Sequence, residues 1–453
     1  MASPLAGRRC AAACAAAVAL LATGARANPA DTFGMGSRST ALGGAVSATT
    51  DDFSAVYYNP AGLAFSPGTE LSLGYMRVDH HLSMNGADSQ VDPVAGLVGG
   101  IVAPGTLLGL PFAFGVATHL SDERISRART VRQDDPRWVL YENRNQLLYL
   151  AADLAFAPLD WVAVGGGITF LAATRGAFGI TGRALLPRGG QSQYDSQLRH
   201  EVDADLTAVR YGQLGVQLRP PGPWSFGVAY RQEARIELGL DADLRGTIDA
   251  KVLAADASYV LESLTVNGFI PAQLVVGGGW RPGADWLVGV DLVWVRWSAY
   301  VSPTSQTRTA LEVDFPPTVV ALPPPTKPTR ILPPGFQDTL VPRLGVEWRP
   351  RVAPGWRTPL RAGYVYEPSP VPDQRGLTNL VDTDRHVFSA GAGVVLEDPG
   401  EVLPGELRLD GHAQYSLLPE RVTLKRSAAD FTGDYRAGGY LWNVGLSLSL
   451  GFR

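Results

Sequence analysis

Residues 286–294 read WLVGVDLVW. Trp286, Val288, Val290, Leu292 and Trp294 fall on one face of an extended strand, and Gly289 and Asp291 fall on the other. The eight steps from the first tryptophan to the last cover about 27 Å at ~3.4 Å per residue. Tilted by about 40°, such a strand spans roughly 21 Å, close to the ~25 Å apolar band of an outer-membrane barrel. The apolar face ends in an aromatic at each side, and the other face carries a charge and no bulk. That combination suits a strand between lipid and a polar lumen.

The pattern recurs along the chain. Near the C-terminus Tyr440, Trp442, Val444, Leu446, Leu448, Leu450 and Phe452 share a face opposite Asn443, Gly445, Ser447, Ser449 and Gly451. Fourteen such segments begin near Glu70, Val94, Pro111, Asn145, Trp161, Glu201, Trp224, Pro271, Trp286, Thr339, Arg357, Asp384, Glu406 and Gly438. A soluble sandwich also alternates, so the connections decide. Short turns (157–160, 219–223, 281–285) intersperse with long polar stretches (121–143, 182–200, 302–338), the asymmetry of a barrel with tight periplasmic turns and long outer loops. Trp161, Trp224, Trp286 and Trp356 follow short turns, at one membrane interface. The reading is all-β: a transmembrane antiparallel barrel of about 14 strands. In lipid every backbone polar group needs a partner within the protein, and without helices only a closed sheet provides it.

The chain has 453 residues and a net charge of −4, with no basic face for nucleic acid. Residues 1–27 are expected to be a signal peptide: Arg8 and Arg9, an apolar run from Ala11 to Ala22 that is too short for a membrane span, then Ala25-Arg26-Ala27. Both cysteines, Cys10 and Cys14, fall inside it. The three arginines Arg8, Arg9 and Arg26 are lost with it, which leaves the exported chain acidic.

Between signal and first strand, residues 28–66 hold the mixed-polarity stretch DDFSAVYYNPAGLAF (51–65), rich in turn residues and without strand or helix pattern. A barrel of fourteen strands is too wide for its own side chains to fill, and this segment is about the right amount of chain for a plug. Residues 67–453 then form the barrel. Asn59-Pro60-Ala61-Gly62 is expected to be the tight turn from plug to first strand, with Asp51 and Asp52 facing lumen charges or water.

At this point a family resemblance becomes visible. Gly34–Ala45 (GMGSRSTALGGA), Asp51-Asp52, and Tyr58-Asn59-Pro60-Ala61-Gly62-Leu63 resemble the N-terminus of the FadL-type outer-membrane transporters (OmpP1/FadL/TodX). Trp294-Val-Arg-Trp297-Ser298, and Ser369-Pro370-Val371-Pro372-Asp373 with Asp382-Thr-Asp384-Arg385, are similar to further motifs of that family, in the same order. The resemblance implies passive uptake of long-chain fatty acids or similar hydrocarbons across the Gram-negative outer membrane. It implies an N-terminal hatch carrying Asp51, Asp52, Asn59, Pro60, Ala61 and Gly62, which closes the lumen and forms part of the ligand site. Phe33 and Phe53 are the candidate ligand contacts. Lateral exit beside a kinked third strand would fall on 111–120, with Gly115 as the candidate bend. The expected partners are a hydrophobic small molecule and outer-membrane lipid. The chain is expected to act as a monomer, without cofactor or metal.

Other chemistry is sparse. His80 and His81 are adjacent, so on a strand they point to opposite faces and cannot share a metal. His-Leu-Ser at 81–83 and 119–121 would suit a lipid hydrolase, but solvated loop residues explain it more simply, and the expectation is no enzyme. The glycine runs 165–167 and 277–279 lack the Lys-Ser/Thr of a phosphate loop and are expected to leave lumen space. Asp153, Asp291, Arg210 and Arg361 are expected as lumen charges. The alternatives to a hatched carrier are a general hydrophilic diffusion porin, which differs by steady conductance, and an adhesion or lipid-hydrolase barrel.

Overall fold

The computed structural model describes residues 29–122, 134–142, 148–185, 197–249, 254–302, 304, 306–314, 331–399 and 405–452. The expected signal peptide and most of the proline-rich loop 315–335 lie outside them.

Seventeen strands form one sheet: β1 (Thr69–Met84), β2 (Val94–Leu107), β3 (Leu110–Ser121), β4 (Tyr149–Leu159), β5 (Val162–Leu185), β6 (Gln197–Leu218), β7 (Trp224–Arg231), β8 (Ala234–Asp249), β9 (Ala254–Ile270), β10 (Gln273–Trp280), β11 (Trp286–Val295), β12 (Gln306–Val313), β13 (Thr339–Trp348), β14 (Leu360–Glu367), β15 (Arg385–Glu397), β16 (Gly405–Thr423) and β17 (Tyr435–Phe452). Ladders of two or three residues at 87–88, 351–353 and 356–357 join the same sheet. The closed circuit runs β1 to β7, then β10, β11, β13, β14, β15, β16 and β17, all antiparallel. It returns to β1 through an unbroken register from Thr69↔Phe452 to Met84↔Ala437. Fourteen strands therefore close the barrel, one at each segment read from the sequence. In β11 the outward Trp286, Val290 and Leu292 are exposed while Leu287, Asp291 and Val293 are buried, the alternation that opened the argument.

Three strands were not foreseen. The connection before Pro271 folds into the β8–β9 hairpin, and 302–338 contains β12. β8 runs parallel to the outer half of β5, from Gly176↔Leu240 to Leu185↔Asp249, and β12 pairs with β9. β8 alternates as a spanning strand does, with Ile236, Leu238, Leu240, Ala242 and Leu244 on one face, but it has no aromatic at either end and it pairs outside the closed circuit. The 182–200 connection shrinks because β5 and β6 continue past the bilayer.

Residues 29–66 occupy the lumen and are almost wholly buried. They are more ordered than their sequence suggests. Three short helices, α1 (Pro29–Phe33), α2 (Ser37–Ala41) and α3 (Ala55–Tyr58), precede a 3-10 helix at Pro60–Phe65. The Asn-Pro-Ala-Gly stretch is thus not an isolated turn into β1. It starts that 3-10 helix, with Pro60 at its first position and the Asn59 side chain accepting from the Ala61 N–H at 3.2 Å. Gly62 is required by crowding rather than backbone freedom, because a Cβ there would meet the Thr50 carbonyl.

The lumenal segment lies on a belt of wall glycines. Gly165 pairs with Gly215, Gly227 with Gly277, and Gly289 with both Gly279 and Gly345, which pairs with Gly363. A Cβ at Gly165 would sit 2.6 Å from the Ala61 nitrogen, and one at Gly345 would sit 2.5 Å from the Leu42 carbonyl oxygen. At Gly227 and Gly289 it would meet the carbonyls of Ser47 and Ala45. The belt lets main chain rest on main chain across the wall. Gly289→Val is therefore expected to push the segment off the wall at a cost of about 1–3 kcal/mol. In planar bilayers it should show raised conductance while its barrel keeps native heat-modifiable gel mobility. Conductance equal to that of the unsubstituted protein would contradict the packing described.

Candidate functional site: the lumenal segment and the cavity above it

Two constellations define the site. The first is ionic and lies beside the short turns. Arg38, on α2, meets Asp51 at 3.2 Å, Asp52 at 3.3 Å and Glu347 of β13 at 3.2 Å. Glu347 also takes Arg349 and Arg361, each at 2.6 Å, and Arg361 reaches Asp410 of β16 at 2.6 Å. Arg219, in the turn after β6, touches Asp51 at 3.4 Å and donates to the Thr49 and Thr50 carbonyls, each at 3.2 Å. Burial opposes the charge on Asp51, but Arg219 and Arg38, helped by Arg281 and Arg349, outweigh it and hold the carboxyl at about 2. Each charge has a counter-charge on another element, so the network ties α2 and the 51–52 corner to the barrel floor.

Further hydrogen bonds continue the attachment. Asn59 donates to the carbonyls of Ser47 (2.8 Å) and Val216 (3.0 Å), bridging segment and wall. Asp291 accepts from the backbone N–H of Ser47 at 3.0 Å and its hydroxyl at 2.8 Å. Gln213 donates to the Val56 carbonyl at 2.6 Å and to Asp153 at 2.7 Å.

The second constellation is a cavity of about 670 Å³ of empty space, part of it open to solvent, on the outer side of the segment. Phe33, Tyr57 and Tyr58 form one side, and Val295, Trp297, Val341, Val365 and Val387 form the other. Polar groups are interleaved with the apolar ones, Asp31, Gln273, Arg343, Glu367, Arg385 and Gln414 among them, and several are held. Tyr57 donates to Asp31 at 2.6 Å, and Gln273 donates to Asp31 at 3.0 Å. Arg231 donates to the Tyr57 carbonyl at 2.7 Å, and its guanidinium lies 4.4 Å from the Tyr57 ring centre. Arg385 donates to the Thr32 carbonyl and pairs with Glu367. Aromatic rings crowd the approach. Tyr300 and Phe336 stack at 4.0 Å, with Trp297 6.1 Å from Phe336 and Phe269 6.0 Å from Trp297. On the other side Phe33 packs on His80 at 5.8 Å, and His80 on Tyr141 of the helix α4 (Val139–Glu142) at 6.2 Å.

The residues singled out from sequence separate cleanly. Asp51 and Asp52 enter the ionic floor, and Asn59 to Gly62 the segment–wall contact. Phe33 lines the cavity. Phe53 does not: it lies against Gly36 and against Gly100 of β2. At Gly115 the pairing runs without a register shift on both sides, and the missing side chain leaves room for Leu63 and Val56. Asp153, Asp291 and Arg361 are buried in the lumen, but Arg210 is exposed on the outward face of β6. His80 faces the lumenal aromatics, whereas His81 stacks on Tyr440 at 4.7 Å. The glycine belt and the ring of valines were missed as sites. Both were present as period-two residues on the polar faces of the strands, where they read as mere spacing.

A closed barrel with an apolar belt, aromatic rims and a filled lumen defines an integral outer-membrane protein of the transport type. Residues 146–431 match the family described as outer membrane protein transport protein (OMPP1/FadL/TodX). The chain belongs to that family, which fixes its place in the outer membrane. It is 22% identical over 404 residues, 85% of this chain and 82% of the other, to alkane uptake protein A of Marinobacter nauticus. Its fold is shared with a Pseudomonas aeruginosa FadL homologue (TM-score 0.54, 17% identity, 95% of this chain and 100% of that one). The P. putida toluene transporter TodX is similar to the same degree (TM-score 0.53, 17% identity, 93% and 99%).

The ionic floor makes a pH prediction. Asp51 has a lower affinity for protons in the folded state than at its ordinary value of 3.8, so its contribution is fully present above about pH 4 and is lost as pH falls toward 2. Conductance through the barrel should stay low from neutral pH to about 4 and rise between 4 and 2. Arg38→Met removes the ion pair of Asp52 and the link from α2 to Glu347, which keeps Arg349 and Arg361, and should cost about 3 kcal/mol of attachment, opening the lumen already at neutral pH. A flat pH profile in both proteins would show that this network does not hold the segment.

Proposed function

We propose that the protein carries hydrophobic small molecules, long-chain fatty acids or similar hydrocarbons, passively inward through the outer membrane, with residues 28–66 acting as a hatch. The carrying observation is the cavity walled by Phe33, Tyr57, Tyr58, Trp297 and four valines directly on that segment. Such a site offers an apolar wall to a hydrocarbon chain and polar groups, Arg343 and Arg385 among them, that can fix a ligand's polar end. Ligand collected among the outer aromatic rings moves into the cavity, and displacement of the hatch lets it descend. Exit is through the wall beside Gly115, where withdrawal of Leu63 and Val56 would vacate a notch in β3. Transport follows the ligand's own gradient. The protein works as a monomer in outer-membrane lipid, with no cofactor and no catalytic step.

The porin reading requires a water-filled lumen, whereas here 29–66 fills it. Names of relatives support the hydrocarbon class: one is an alkane uptake protein and one a toluene transporter. In planar bilayers the intact protein should be nearly closed to ions, and deletion of residues 28–66 should give steady, porin-like conductance. Phe33→Ala should weaken hydrocarbon binding by about 1–2 kcal/mol, roughly tenfold, without changing conductance. Steady conductance of the intact protein, unaltered by the deletion, would overturn the hatch and favour the porin.

A further inference from the structure

One short turn differs from the rest. The turns at 157–160, 219–223 and 281–285 each hold proline and at least one charged residue, but β2 and β3 are joined through Leu107-Leu108-Gly109-Leu110, with neither. Leu108 has φ +53° and Gly109 φ +78°. A two-residue hairpin turn with positive φ at both positions favours Asn-Gly or Asp-Gly, and leucine is a poor choice there. Leu108 is also 95% exposed, with Leu107 and Leu110 about half exposed beside it. A residue that is both strained and apolar in open solvent is not explained by the turn.

The surroundings supply a reason. Leu107 and Leu110 continue the outward, lipid-facing columns of β2 and β3, below Ile101 and Phe114. The β2 ladder runs on for five residues past Val102, its last partner on β1. Next to it the exposed Leu159 ends β4, and Phe112 packs on Phe156 at 6.3 Å across the two strands. The tryptophans of this rim, Trp161, Trp224, Trp280, Trp286, Trp348 and Trp356, all lie between the β4–β5 turn and β14. From β15 through β17 to β3 the inner ends of the strands carry none. Tryptophan marks the polar interface, whereas leucine favours hydrocarbon.

We infer that the β2–β3 turn is a lipid anchor: Leu107, Leu108 and Leu110 sit among acyl chains of the inner leaflet, and this arc of the barrel is immersed more deeply than the tryptophan-lined arc. The occupant is lipid because the patch is continuous with the wall that lipid already covers. The test is nitroxide accessibility in phospholipid vesicles. With Cys10 and Cys14 absent, single cysteines are placed by Leu108→Cys and, in the tryptophan-flanked turn, by Gly283→Cys. The label at 108 should collide more with oxygen than with a water-soluble nickel chelate, and the label at 283 should do the reverse. In the same vesicles Leu108→Asn, which suits the turn, should lower the urea midpoint of unfolding. A label at 108 as open to nickel as that at 283, or a midpoint raised by the asparagine, would overturn the anchor and leave a water-facing patch for a periplasmic protein.

Discussion

The structure depends on one constraint: no backbone N–H or C=O can face lipid unpaired. The seam between β1 and β17, paired from Thr69↔Phe452 to Met84↔Ala437, meets it by joining the two ends of the spanning sheet. Closure of fourteen strands in turn creates a lumen that wall side chains cannot fill. The N-terminal segment follows from that, and so does the wall built to receive it, with glycines where main chain touches main chain and charges where the floor must hold. The cavity is what remains between the segment and the outer half of the wall.

The two attachments differ in kind. At the glycine belt the segment fits by shape, and any added side chain is a collision. At the floor it is held by Arg38, Asp51, Asp52, Glu347 and Arg219, charges that must be satisfied but can be exchanged. A segment fixed by shape alone would be a permanent plug. A partly exposed ionic floor with a cavity on its other face is an arrangement in which occupation of one side can alter the balance on the other.

Much of this was legible in the sequence. WLVGVDLVW fixed which side chains face lipid, and the tryptophans after short turns marked the inner rim. The strand count followed because lipid imposes one strong period on every spanning strand. β8, β9 and β12 went unread: β8 alternates as regularly as a spanning strand, but no aromatic brackets it, and all three lie in stretches between the fourteen segments. Asp51, Asp52 and Asn59 were identified as belonging to the lumenal segment, but Arg219, which Asp51 meets, Val216, which Asn59 meets, and Glu347, which shares Arg38 with the two aspartates, come from distant parts of the chain. Phe53 and Phe33 look alike in sequence. Only the turn of the segment sends one to the cavity and the other against Gly100.

The central claim is that the segment must leave the wall for ligand to pass. Ser47 of the segment meets Asp291 of β11 side chain to side chain at 2.8 Å, so cysteines at these two positions face each other without adding bulk to the glycine belt. The direct measurement is hydrocarbon uptake into cells carrying Ser47→Cys with Asp291→Cys, compared oxidised and reduced. Uptake should stop on oxidation and return on reduction. Undiminished uptake with the crosslink fully formed would contradict the account.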